Sequence, residues 1–66
     1  MRATYESLTK FVQKHGAVTV LDSQHRAREL PSGEADIHDV VEKADRFVFQ
    51  GKWYSRGDFE ALLDRL

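Results

Sequence analysis

Four aromatic side chains and two cations crowd into "RFVFQGKWYS", residues 46–55, and a third cation, Arg56, follows at once. Cations of this kind meet phosphate oxygens, and an exposed indole stacks on a base or enters a groove. Arg46, Lys52, Trp53 and Arg56 are therefore candidates for nucleic-acid contact. A second group, Gln24, His25, Arg26 and Arg28 in "VLDSQHRAREL", offers further phosphate ligands. Between the two lies "EADIHDVVEKAD", in which Glu34, Asp36, Asp39, Glu42 and Asp45 face Lys43 alone. Carboxylates repel phosphates, so this segment reads as a solvated face or as a surface that docks a basic protein partner.

Other chemistry is poorly served. His15, His25 and His38 are too widely spaced for a local metal motif, and the chain has no cysteine. Ser23, Ser32 and Ser55 stand at plausible caps rather than beside a general base, and no glycine loop is built to cradle phosphate. The expectation is a non-catalytic chain that needs neither a metal nor a cofactor.

The 66 residues are 41% hydrophobic, enough for one core, so a single domain over 1–66 is expected. Without cysteine, packing or a partner must hold it together. No apolar run approaches the roughly 20 residues of a membrane span, and "MRATYESLTK" lacks the apolar region of a secretion signal. A cytosolic or nuclear setting with no membrane contact follows as the default. The net charge of -1 makes the uneven placement of charge, not its sum, the feature that matters.

The elements that must position these groups follow from periodicity. Tyr5, Leu8, Phe11 and Val12 recur at helical spacing, with Lys14 and His15 in a last turn closed by Gly16. A short strand is predicted over Ala17 to Thr19. A second helix is predicted across "VLDSQHRAREL", where Val20, Ala27 and Leu30 share a face and Thr19 with Asp22 has capping-box spacing. "PSG" then punctuates the chain and offers Ser32 as an N-cap. The third helix carries Ile37, Val40, Val41 and Ala44 on one stripe, with its acids off that stripe. Gln50-Gly51 is predicted as a two-residue hairpin turn, pairing Phe49 with Lys52, Val48 with Trp53 and Phe47 with Tyr54. This register puts Phe47, Phe49 and Tyr54 on one face and Val48 and Trp53 on the other. A closing helix is expected from Ser55 as cap, a Tyr54–Phe59 staple and the stripe Phe59, Leu62, Leu63, Leu66.

This α+β order, helix-strand-helix-helix-hairpin with a closing C-terminal helix, resembles the winged helix-turn-helix superfamily. "KHGAVTV", "LPSGEADIHDVVEKA" and "DRFVFQGKWYS" carry the resemblance. The glycine-containing hairpin is similar to that of the bacterial RNA polymerase delta subunit. "GKWYSRGDFEALL" is similar to the ending of phage excisionases and mercury-regulator-type activators, and the opening with "DRFV" to the N-terminal winged helix of zinc-finger antiviral proteins. The resemblance implies a recognition helix exposing Glu34, Asp36, His38, Asp39, Glu42 and Lys43, and a wing over residues 46–56. It further implies a regulatory DNA- or RNA-binding module that contacts phosphates through Gln24, Arg26, Arg28, Arg46, Lys52 and Arg56, with Trp53 as the wing contact. The alternative is a protein-docking module working through Glu34, Asp36, Asp39 and Glu42. Roughly three to six neutralised phosphates would give weak, salt-sensitive binding, which a homodimer would strengthen.

Overall fold

The computed structural model describes residues 1–24 and 26–66. Helix α1 (Tyr5–His15) begins at a capping box, where Thr4 Oγ1 accepts from the Ser7 amide and Ser7 Oγ from the Thr4 amide. It ends at Gly16, whose φ of 109° favours a residue without Cβ.

Strands β1 (Val18–Asp22) and β2 (Ala27–Leu30) come next, and they pair antiparallel with Val18 opposite Leu30 and Leu21 opposite Ala27. The expected second helix is therefore a hairpin, and the short strand expected to end at Thr19 runs on to Asp22. Two physical causes account for the difference. Val18, Val20 and Asp22 alternate with Thr19 and Leu21 between buried and half-buried positions, a period of two that no helix reproduces. Asp22 also does not cap a helix: its Oδ1 accepts from the Gln24 and Arg26 amides at 3.0 and 2.9 Å, which closes a turn. His25 lies outside the described residues.

Helix α2 (Ile37–Lys43) turns Ile37, Val40 and Val41 inward, and Ala44, the last member of the predicted stripe, is buried as the first residue of β3 (Ala44–Phe49). Ser32 is not the cap of this helix. It accepts from the Glu34 amide in the preceding turn, and Asp36 holds the N-cap position without a side-chain bond. The β3–β4 hairpin has the predicted register, with β4 spanning Lys52–Ser55. Gln50 and Gly51 both have positive φ, 52° and 75°, the geometry of a tight hairpin turn. Helix α3 (Arg56–Arg65) starts where Ser55 Oγ accepts from the Asp58 amide. The Tyr54 and Phe59 rings meet edge to face at 5.6 Å, which is the predicted staple.

The four strands form one antiparallel sheet in the order β2-β1-β3-β4. Val18, Val20, Leu30, Phe47 and Phe49 point to one side of it and share a core with Leu8, Phe11, Ile37, Val40, Val41, Phe59 and Leu63 of the helices. Phe47 and Phe59 stack at 4.9 Å in its middle. The helices thus cover one face of the sheet. Thr19, Leu21 and Val48, which point the other way, are only half buried, and Trp53 and Arg46 are exposed. The molecule is α+β, with a two-layer build in which the second face of the sheet is open.

Candidate nucleic-acid interface

Eight of the ten cations fall into two groups once their partners are known. Arg26 follows the β1–β2 turn rather than lying on a helix. Its Nε donates to Asp22 Oδ2 at 2.6 Å, and Nη2 reaches Asp39 at 3.4 Å. Arg28 lies on β2, with Nε 2.5 Å from Glu34 Oε2 and Nη2 donating to Asp36 at 3.1 Å. The Glu34 contact is an ion pair without a hydrogen bond, because Nε lacks one. Arg56 is engaged most fully. Its guanidinium donates to the carbonyls of Ala44 (2.8 Å), Val41 (2.6 Å), Glu42 (3.2 Å) and Ala3 (3.1 Å), and lies 5.4 Å from the Phe47 ring centroid. A positive charge at the end of α2 also suits the partial negative charge of a helix C-terminus. Arg26, Arg28 and Arg56 are thus held by groups within the fold.

Asp22 is the buried carboxylate of this network, 4% exposed. Burial alone would raise its pKa, but the amides of Arg26 and Gln24 and the Arg26 guanidinium outweigh it and hold the carboxyl below its ordinary value. Asp22 in turn raises the pKa of Arg26. The pair is a structural clamp on the β1–β2 turn, and sequence reasoning read both members differently. The available signal was the polar run "DSQ" after a β-branched stretch, a turn signature as much as a thin helix.

The second group consists of Arg46, Lys52, Lys10, Lys14 and Arg65, none of which forms an ion pair among the described residues. Arg46 stands on β3 between Leu21 of β1 and Ser55 of β4. Lys52 begins β4, its ammonium 5.5 Å from the Tyr54 ring centroid. Trp53 follows it, directly opposite Val48 and 59% exposed. Lys10 and Lys14 do not join these residues. They line a groove between α1 and the end of α3 with Met1, Leu63 and Leu66, on the helical side of the molecule. Gln24 is exposed at the β1–β2 turn.

The acidic segment is largely neutralised within the molecule. Glu34 and Asp36 pair with Arg28, Asp39 with Arg26 and Lys43, and Glu42 with Arg2. His38 lies against Tyr5, ring centroids 4.2 Å apart. Among the described residues, no cluster of three or more histidines or carboxylates could hold a metal ion, and no helix is long and apolar enough to cross a membrane. What the fold leaves available is a hairpin whose open face bears an exposed indole and Arg46, with Lys52 projecting from its other face beside Tyr54. Comparison with protein-family models, curated proteins and solved structures found no match to this chain.

Proposed function

We propose that this protein is a small, non-catalytic nucleic-acid-binding module that contacts its ligand through the β3–β4 hairpin. The observation that carries the reading is the placement of Trp53, 59% exposed, on the same face as Arg46, with Lys52 on the other face of the hairpin, and neither cation has a carboxylate partner among the described residues. An exposed indole with an unpaired cation on the same face supplies stacking and phosphate attraction together. In the winged-helix reading this hairpin serves as the wing. A hairpin stands where the second helix was expected, so the proposal rests on the wing and not on a helix-turn-helix pair. Docking of a basic protein by the acidic segment is the weaker reading, since Glu34, Asp36, Asp39 and Glu42 already have cationic partners.

A backbone amide NMR titration with a generic duplex and a generic single strand, at low salt and again near physiological salt, tests the reading. Salt-sensitive shifts over residues 46–55 are the expected result. An absence of shifts at low salt, where phosphate attraction is strongest, would overturn it. Arg46→Ala with Lys52→Ala should weaken binding about equally for all sequences. Unchanged affinity in that variant would remove the hairpin from the interface.

A further inference from the structure

The residues of the open face of the sheet fall in two rows across the strands. Glu29, Thr19, Val48 and Trp53 form one, and Ala27, Leu21, Arg46 and Ser55 the other. Trp53 has Val48 directly beside it and Arg46 on the diagonal, within reach of a long side chain. No helix projects from this face to enter a major groove, and the two-residue turn at Gln50-Gly51 is too short to reach far into a minor groove. A duplex keeps its bases stacked inside and offers the indole no free base face to stack on. A single strand can lay an unstacked base on the indole and bring a phosphate to Arg46 on the same face.

The charges also orient the strand. Glu29 is the acid of these rows and lies on β2, at the far edge from Trp53. It repels phosphate there and confines the ligand to the β3–β4 half of the face. A second copy of the chain is a poor occupant. Four strands spaced about 4.8 Å apart and about five residues long present on the order of 300 Å² of surface. That is well short of the roughly 800 Å² each partner contributes to a stable interface.

We infer that the open sheet face binds single-stranded nucleic acid in preference to duplex, with one base stacked on Trp53 and an adjoining phosphate held by Arg46. This rests on the nucleic-acid reading above. Trp53 is the chain's single tryptophan, so its fluorescence reports directly on the proposed contact. The experiment is a titration with a short oligothymidylate, a blunt duplex of equal length and an abasic strand of equal length. Oligothymidylate should quench the indole and bind at least tenfold more tightly than duplex, and the abasic strand should bind without quenching. By anisotropy with labelled oligothymidylate, Trp53→Ala should lose about tenfold in affinity and Trp53→Phe should recover most of it. Both variants should fold, because the side chain is exposed.

Duplex binding as tight as single-strand binding, with the indole unquenched, would overturn the single-strand inference and leave the nucleic-acid reading standing. No binding of either form at low salt would overturn both. Concentration-dependent dimerisation that buries Trp53 without nucleic acid would assign the face to a second copy and overturn the inference.

Discussion

Arg46 and Arg56 are the same residue type ten positions apart, at the two ends of one hairpin, and the fold uses them in opposite ways. Arg46 ends in solvent. Arg56 gathers carbonyls from the end of α2, the start of β3 and the N-terminal segment. Arg56→Ala should therefore cost about 2–3 kcal/mol of stability, since it removes a charged donor that ties four carbonyls of three segments together. Arg56→Lys should recover little of this, because one ammonium cannot span the positions a planar fork reaches. Arg46→Ala should stay within about 0.5 kcal/mol of the parent. Urea unfolding of the three variants checks the contrast, and equal losses at 46 and 56 would refute it. Asp22 supports a pH prediction. Its folded pKa lies below the ordinary 3.8, so its contribution is complete above that value and is lost as pH falls through the lower, folded value. Asp22→Asn should be less stable than the parent near neutral pH, and the gap between them should narrow once the pH drops well below about 4. Unfolding midpoints at the two pH values measure the gap.

The hairpin β3–β4 was legible in the sequence to the residue, and the hairpin β1–β2 was not. In the first, a Gly-containing turn sits between aromatic runs whose alternation fixes both register and face. In the second, the inward positions are Val18, Val20 and Asp22 on β1 and Arg28 and Leu30 on β2, and the two charged residues among them hide the period of two that marks a strand. The pattern of charge was equally misleading for the site. Arg26 and Arg28 look unpaired along the chain because their carboxylates lie four to thirteen residues away in sequence and meet them only through the turn and the approach to α2. Even the legible hairpin keeps a local cost, since Gln50 occupies the left-handed region at φ 52°, where asparagine is better tolerated. Gln50→Asn should stabilise the domain by a few tenths up to about 1 kcal/mol. A raised thermal midpoint with unchanged amide shifts elsewhere would be the signature, and a lowered midpoint would refute it.

At the scale of the whole molecule, internal pairing decides how strongly a chain with a net charge of -1 can hold a polyanion. From sequence, the wing and the expected second helix together allowed up to about six neutralised phosphates. Within the fold, Arg26, Arg28 and Arg56 are engaged, and Lys10 and Lys14 lie on the helical side. Arg46 on the open face and Lys52 on the other face of the same hairpin remain, so at most about two phosphates are neutralised. For a single strand, two neutralised phosphates correspond to a log–log salt slope near -1.4, and six would give about -4. Raising salt from about 50 to 200 mM should then cost only about sevenfold in affinity, against several hundredfold for six contacts. Much of the binding that persists would come from the indole, which salt does not screen. Anisotropy measured across that salt range gives the slope directly. A value near -1.4 that falls towards zero in Arg46→Ala with Lys52→Ala fits a small contact held by stacking and two cations. A slope steeper than about -3 would mean that the internally paired arginines leave their carboxylates to meet the ligand, and the ion pairs of the β1–β2 turn would then be a latch that nucleic acid opens.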